Sequence, residues 1–225
     1  MGLEGIEPVD RKSTAGIIAD ELRAAIMRGT LESGTQLGEA ELAAQLGVSR
    51  GPLREAMQRL VQEGLLRSER HRGLFVIELD EAGILDVYRV RQVIEHAAAH
   101  LMLQRDDVSQ VADRLAEVHE RMYRAADDND RRALSEADLE FHEAFVAESG
   151  SLRLVRMTRT LLVETRMCIS AMAEAYEFPK EVVDEHGLIV EAVRTKDKRR
   201  LVALLDAHMQ DALRRLTTAY AELSS

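Results

Sequence analysis

Residues 39–66 read EAELAAQLGVSRGPLREAMQRLVQEGLL, and this stretch predicts two short helices joined by a tight turn. Gly47 marks the break, because glycine adopts a left-handed conformation without steric cost. Ser49 is a suitable N-cap for the second helix, and Pro52 falls in its first turn, where a missing N–H is harmless. Apolar residues then recur at helical spacing, at Leu53, Met57, Leu60 and Val61.

The second helix has a basic face opposite this apolar stripe. That face carries Arg50, Arg54 and Arg59, with Gln58 and Gln62 beside them. An apolar back, an arginine-rich front and a three-residue turn match a helix-turn-helix, whose second helix enters the major groove of DNA. Ser49 and the three arginines are therefore candidate DNA contacts.

The residues that follow predict a β-hairpin. Leu65–Ser68 and Gly73–Ile77 have the composition of two short strands, separated by the polar turn Glu69–Arg72. Such a hairpin would be the wing of a winged helix, with His71, Arg72 and Gly73 as further candidate DNA contacts. The alternative is a winged helix used for protein contacts, which the basic character of both helix and turn disfavours.

Charge is distributed unevenly along the chain of 225 residues. The net charge is −10, yet residues 46–76 hold six arginines against three glutamates, while the acidic excess lies mainly in residues 80–225. Phosphate contacts need only a local positive face, so the acidic total does not exclude DNA binding.

Several other classes of protein are disfavoured by the composition. An apolar run near 18 residues, as a membrane helix would need, does not occur, and the first twelve residues, MGLEGIEPVDRK, lack an apolar signal core. The chain is expected in the cytoplasm. The single cysteine, Cys168, excludes an intrachain disulfide, and its apolar neighbours indicate a buried small side chain rather than a nucleophile.

The expected architecture is mainly α, with two domains. Residues 1–79 would form the winged helix-turn-helix, with a first helix at about 13–28, a turn at 34–38 and the small β-wing. Residues 79–83 are the candidate linker, and residues 80–225 would form an all-helical bundle. Its six helices are predicted at about 84–105, 107–127, 130–149, 151–176, 179–195 and 197–222.

Four metal-ligating residues fall on apolar stripes of that bundle: Asp138, His142, His186 and His208. Asp138 and His142 are four residues apart and share a helical face. Burying such groups without compensation is costly, and a divalent metal would compensate them. Imidazole and carboxylate ligands suit zinc, which we favour, as well as nickel, manganese or iron(II). Alternatively, each histidine is an ordinary core residue.

Arginines supply candidate sites for an anionic effector. Arg91 lies on the inward stripe of its predicted helix, where its partner is either Glu95, one turn away, or the carboxylate of a bound ligand. Arg166 is a weaker candidate of the same kind. His96 and His100 are also four residues apart, but they lie off the main stripe and are expected to be solvated or flanking.

The run LAAQLGVSRGPLREAMQRLVQEGLL resembles the GntR family of bacterial transcription regulators, and the downstream pattern resembles its FadR-like subgroup with an all-helical FCD domain. Metal-binding members have a D-x-x-x-H motif and two later histidines, which correspond to Asp138, His142, His186 and His208. The resemblance implies a homodimer, a palindromic double-stranded operator and an organic-acid effector bound to the helical domain. It also implies DNA contacts at Arg50, Arg54 and residues 71–73. Some members have an arginine where this chain has Ala40, so one contact is expected to differ.

The sequence thus predicts a metabolite-responsive regulator, most simply a repressor, and not an enzyme. Its operator affinity would change when a small carboxylate binds near a metal in the helical domain. Two rival interpretations remain: a helical metal-dependent enzyme with a DNA-binding appendage, and a regulator whose metal is purely structural. A general base beside the ligands and a nucleophile motif, which would favour the enzyme, are not recognisable in the sequence.

Overall fold

The computed structural model describes residues 13–78, 80–171 and 180–223. The chain divides into two compact units, Met1–Glu78 and Leu79–Ser225. The described part of the first contains three helices and three strands, in the order α1 (Thr14–Met27), β1 (Gln36–Leu37), α2 (Glu39–Leu46), α3 (Arg50–Gln62), β2 (Leu66–Glu69) and β3 (Gly73–Val76).

The helix-turn-helix forms where the sequence predicts it. Gly47 ends α2 in the left-handed conformation, with φ of 64°. The apolar stripe of α3 is buried at Leu53, Met57 and Leu60 and packs on α1. Ser49 is at the N-cap of α3, but its side chain makes no capping hydrogen bond. The turn is therefore held by the glycine and by apolar packing rather than by the serine hydroxyl.

The wing contains one strand more than predicted. β2 and β3 pair antiparallel, with Arg67 opposite Phe75, and β1 pairs with the other edge of β3 to give the order β1–β3–β2. The prediction of a simple turn at 34–38 was wrong in this respect. A two-residue segment is too short to show the alternation of apolar and polar residues that predicts a strand. β1 forms only because it pairs with β3.

The second unit is helical throughout its described part. Its elements are α4 (Glu81–Met102), α5 (Val108–Asp127), α6 (Arg131–Ala147), α7 (Leu152–Ala171), α8 (Lys180–Arg194) and α9 (Lys198–Leu223). The predicted mainly α fold is confirmed, but the linker proposed at 79–83 is wrong at its C-terminal end. Asp80 caps α4 by accepting a hydrogen bond from Gly83 N–H, so helix already covers residues 81–83. Predicted helix at 172–176 lies outside the described residues.

Two apolar clusters form the core of the helical unit. The larger joins α4, α5, α6, α8 and α9 around residues such as Leu115, Phe141 and Phe145. The smaller packs Ile84 and Tyr88 of α4 against α7 and α9 and includes Cys168, whose predicted burial is confirmed. Among the described residues, no helix combines the length and apolar character needed to cross a membrane.

Candidate metal centre and DNA-binding surface

Three helices bring the four predicted ligands together in the core. Asp138 and His142 project from α6, His186 from α8 and His208 from α9. One potential ligand atom from each residue lies within 4.8 Å of those from the other three, and all four side chains are buried. The helical stripes on which the sequence placed these residues therefore meet at one point.

Aromatic packing holds the rings of this cluster in place. Phe141 is adjacent to His142 on α6, and its ring meets His186 edge to face, with the centroids 4.6 Å apart. The centroids of His142 and His186 are 5.4 Å apart, and those of His186 and His208 are 4.6 Å apart. The rings thus have little freedom to turn away from one another.

Each histidine is oriented by a hydrogen bond at Nδ1. Nδ1 of His142 lies 2.9 Å from Oε2 of Glu95, and Nδ1 of His208 lies 2.8 Å from Oε2 of Glu185. Nδ1 of His186 donates to the carbonyl oxygen of Val182 at 2.7 Å. Such bonds place the ring proton on Nδ1 and leave a lone pair on Nε2, which is the usual arrangement around a metal-bound histidine.

The inner atoms of the cluster lack the partners they need. Nε2 of His186 lies 3.3 Å from Oδ1 of Asp138 but has no hydrogen bond among the described residues. Nε2 of His142 faces Nε2 of His208 at 3.2 Å. Ligands bound to one zinc ion at about 2.1 Å stand roughly 3.4 Å apart in tetrahedral geometry. The residues present therefore fit a divalent cation, which would compensate the facing lone pairs and the carboxylate.

Two of the histidines, His142 and His186, are also in the protonation state that a metal needs. Burial lowers the pKa of His142 well below its usual value, and the nearby Arg91 lowers it further. Burial likewise lowers the pKa of His186, with contributions from the neighbouring His208 and His142. Both imidazoles are thus neutral near pH 7, and no proton has to be displaced before they bind a cation.

Arg91 lies beside this cluster, and the expected pairing with Glu95 is present. Nη2 of Arg91 is 3.4 Å from Oε1 of Glu95, and Nη1 is 3.4 Å from Oγ1 of Thr165. Both hydrogen bonds are long, and Nε is buried without a partner among the described residues. Burial raises the pKa of Glu95, although Arg91 opposes the shift. The guanidinium retains hydrogen-bonding capacity for a further acceptor.

The remaining predicted polar residues do not join the cluster. Nε2 of His96 lies 2.9 Å from Oδ1 of Asp206, and His100 is exposed beside Lys198, in agreement with a flanking role. Arg166 is half-buried on α7, and no ion pair or hydrogen bond links it to the cluster within the described residues.

Sequence reasoning missed the residues that orient the ligands. The sequence pattern predicts Glu95 only as a partner of Arg91, and it does not single out Glu185. The helical phase of Glu95 indicates that this residue is buried. Its contact with His142, 47 residues away, depends instead on how α4 packs on α6. The sequence pattern does not single out His119 either, although its Nε2 bonds the backbone of α8.

In the first unit, the predicted DNA contacts lie on exposed surface. Arg50 is exposed, Nε of Arg54 lies 2.7 Å from Oε2 of Glu39, and Arg59 pairs with Glu55. Glu39 and Glu55 thus hold two of the three candidate guanidinium groups on α3 while leaving them accessible to solvent.

The wing is ordered by its own side chains. The guanidinium groups of Arg67 and Arg72 each lie 5.1 Å from the centre of the Phe75 ring, and both arginines pair with Glu69. At the tip, His71 has φ of 64° and Gly73 has φ of 100°. The predicted wing residues His71, Arg72 and Gly73 are exposed, and Arg72 is stacked on Phe75 rather than freely extended.

A winged helix-turn-helix followed by a helical unit with a buried ligand set defines a DNA-binding transcription regulator with a sensor domain. The chain belongs to the GntR family of bacterial regulatory proteins and carries an FCD domain. Residues 14–76 match the description "Bacterial regulatory proteins, gntR family", and residues 86–211 match the FCD domain.

The descriptions of similar proteins agree with this assignment to the family. The chain is 34% identical over 208 residues to the gluconate operon transcriptional repressor of Bacillus licheniformis, covering 90% of this chain and 85% of that protein. It is 30% identical over 199 residues to the probable D-xylose utilization operon transcriptional repressor of Paenarthrobacter nicotinovorans, covering 88% and 87%. A crystal structure of a GntR regulator from Rhodococcus sp. RHA1 superposes with a TM-score of 0.77 at 27% identity, covering 91% of this chain and 97% of that one.

Proposed function

We propose that this regulator is a repressor whose affinity for its operator changes when a small carboxylate binds at a metal held by Asp138, His142, His186 and His208. The observation that carries the proposal is the convergence of the three Nε2 atoms and one carboxylate, each histidine being oriented by a separate Nδ1 bond. Zinc is the favoured metal, and nickel, manganese and iron(II) suit the same ligand types.

A divalent cation that takes more than four ligands would have coordination positions beyond these four residues, and the carboxylate of an effector could fill them. Arg91 is the second group, beside the cation, that would attract the carboxylate of the effector. It is buried, its two hydrogen bonds are long and its Nε is free of protein partners among the described residues, so an anion beside the cluster would complete its bonding. Arg166 is the secondary candidate for contact with the effector.

The class of effector is suggested by the relatives rather than by the site. Two of them are described as repressors of operons for gluconate and D-xylose utilization. A sugar acid such as D-gluconate has both a carboxylate for the cation and Arg91 and several hydroxyl groups for further hydrogen bonds. We therefore propose a sugar acid or a related hydroxy acid as the effector.

The proposed output is sequence-specific binding to double-stranded DNA. Arg50 and Arg54 would contact bases or phosphates from α3, supported by Ser49 and Arg59, and the wing would contribute His71, Arg72 and Gly73. A homodimer that binds a palindromic operator is the simplest assembly, because a single recognition helix reads too few base pairs for useful specificity. The Met1–Glu78 unit would then be the DNA-binding domain and Leu79–Ser225 the effector- and metal-binding domain.

The decisive experiment compares His186→Ala with His100→Ala, an exposed histidine outside the cluster. Protein purified without a metal-affinity tag is analysed for its elements and tested on a duplex selected from random DNA, with and without D-gluconate and chelator. We expect stoichiometric metal and a gluconate response in the wild type and in His100→Ala, and loss of both in His186→Ala. Equal metal in both variants would refute the site.

The same experiment separates the rival roles of the metal. A purely structural metal predicts that the chelator lowers the unfolding temperature while the response of operator binding to the effector survives. A metal enzyme predicts that a candidate sugar acid is consumed on incubation with the metal-loaded protein. Loss of the response with no consumption of the ligand is the result that the proposal requires.

A further inference from the structure

His119 on α5 is bonded to the helix that carries His186. Its Nε2 donates to the carbonyl oxygen of Val183 at 2.7 Å, and its half-buried ring meets that of Tyr123 edge to face, with the centroids 4.9 Å apart. The hydroxyl of Tyr123 donates to Oδ1 of Asp184 at 2.8 Å. Two side chains one turn apart on α5 thus form hydrogen bonds to the same turn of α8.

Gly187 lies where this ring passes closest to α8. A Cβ atom added at Gly187 would stand 2.8 Å from Cε1 and 3.2 Å from Nε2 of His119. Its backbone is helical without positive φ, so the chain conformation does not demand glycine, and alanine is the better helix former. The ring of His119 therefore accounts for the glycine, since it occupies the space of a side chain.

The contact is one residue away from a candidate metal ligand. His186 precedes Gly187, and its Nδ1 bonds the carbonyl of Val182, while His119 bonds the next carbonyl along, that of Val183. The same turn of α8 therefore receives the bond that orients His186 and the bond that ties the helix to α5.

We propose that His119 and Gly187 are a positioning pair that sets the distance between α5 and α8 and so places Nε2 of His186 among the other ligands. This inference rests on the proposed metal site. The edge-to-face contact with Tyr123 on the same helix opposes rotation of the His119 ring, so an added Cβ would push α8 away from α5 and strain the bond to Val183. The displacement would be several tenths of an ångström, whereas metal sites hold their ligand distances to about 0.2 Å.

The test is a double-mutant cycle read by Co²⁺ binding to the full chain. Gly187→Ala, His119→Ala and the double variant are titrated with Co²⁺, and the visible ligand-field absorption of the bound ion is recorded. Gly51→Ala is the matched control, because Gly51 is also helical but has no atom within 4 Å of an added Cβ. The melting temperature of each metal-free protein is measured in parallel.

We expect Gly187→Ala to weaken Co²⁺ binding by about 10- to 100-fold and to change the absorption spectrum, as loss of outer-shell support does elsewhere. In the His119→Ala background the same alanine should change affinity by less than about threefold, because the ring it would strike is gone. Gly51→Ala should bind like the wild type.

Several outcomes would overturn the inference. One is Gly187→Ala with wild-type affinity and spectrum, even if the metal-free protein melts earlier, since that is ordinary packing. Another is a Gly187→Ala effect on affinity that is as large in the His119→Ala background as in the wild type. If Gly187→Ala does not fold, His119→Gln carries the test, because it keeps a donor for Val183 and should bind Co²⁺ more tightly than His119→Ala; equal affinities would refute positioning. A wild type that binds no Co²⁺ refutes the metal site itself.

Discussion

Nδ1 of His142 and Oε2 of Glu95 lie 2.9 Å apart, and both side chains are almost completely buried. The other carboxylate oxygen, Oε1, is 3.4 Å from Nη2 of Arg91. One glutamate therefore joins a candidate metal ligand to the candidate anion-binding arginine. It fixes the tautomer and orientation of His142 and at the same time accepts a hydrogen bond from Arg91.

Glu95→Gln should consequently weaken metal binding by about 10- to 100-fold without removing a direct ligand. The glutamine side chain has one acceptor oxygen and a donor NH2 group in place of the two acceptor oxygens, so the hydrogen bond to either His142 or Arg91 is lost. Competition with a chromophoric chelator measures the affinity. Glu136→Gln, on the exposed side of α6, is the control and should bind the metal as tightly as the wild type. An equal affinity in the two variants would show that Glu95 does not orient the ligand.

Arg54→Ala should abolish specific operator binding while leaving the fold intact. Arg54 is exposed on α3, and a bidentate contact with guanine contributes roughly 1–3 kcal/mol of discrimination. Fluorescence anisotropy with the selected operator measures the loss, and circular dichroism checks the fold. Arg124→Ala, an exposed arginine of the helical unit, should bind normally. Undiminished operator affinity in Arg54→Ala would mean that α3 is not the recognition helix.

Arg91→Lys should lose most of the stabilisation that D-gluconate gives to the metal-loaded protein. Lysine retains the charge that pairs with Glu95 but lacks the planar fork of donors that binds a carboxylate in a bidentate manner. The measurement is the gluconate-dependent rise in melting temperature, taken relative to each variant's own baseline. A rise as large as in the wild type would remove Arg91 from the effector site. Arg124→Lys controls for the exchange itself.

Cys168 should be inert towards thiol reagents in the folded protein. Burial, together with the nearby Glu164, raises the pKa of its thiol to about 12, so at about pH 8 only roughly one molecule in 10⁴ carries the reactive thiolate. An aromatic disulfide reagent should therefore report one thiol in denaturant and almost none in buffer. Rapid labelling of native protein would contradict the buried position.

Phe145→Ala should destabilise the helical unit by about 3–5 kcal/mol, because its ring is fully buried in the larger cluster and its removal leaves a cavity. Leu152→Ala is the matched control. Leu152 is 81% exposed, so its replacement should change the free energy of unfolding by less than about 0.5 kcal/mol. Denaturant unfolding followed by circular dichroism compares the two, and similar losses would contradict the described core.

The sequence was a good guide wherever a feature depends on near neighbours along the chain. The left-handed Gly47, the apolar stripe of α3 and the six later helices follow from residue type and spacing within a few turns. The inward direction of Asp138, His142, His186 and His208 follows in the same way. A residue's phase on its helix is a local property, and the core must cover the apolar side.

Features that depend on distant pairing were missed or only partly seen. β1 exists because Gln36 and Leu37 pair with residues nearly 40 positions later, and neither has a strand-like context. The start of α4 was placed too late because Asp80 was assigned to a linker rather than to an N-cap. The sequence does not predict that Glu95 and Glu185 bind His142 and His208, because each carboxylate belongs to a different helix from the ring that it orients.

By itself, then, the sequence determined the two kinds of unit and the inward direction of the four candidate ligands, because helical periodicity and turn chemistry are encoded within a few residues. Only the tertiary structure decided that three helices bring those ligands within 4.8 Å, that Glu95 and Glu185 orient them and that Gly187 makes room for His119. Such contacts depend on how far apart the helices pack and how each is turned about its axis, and these quantities are set by the fit of the whole core.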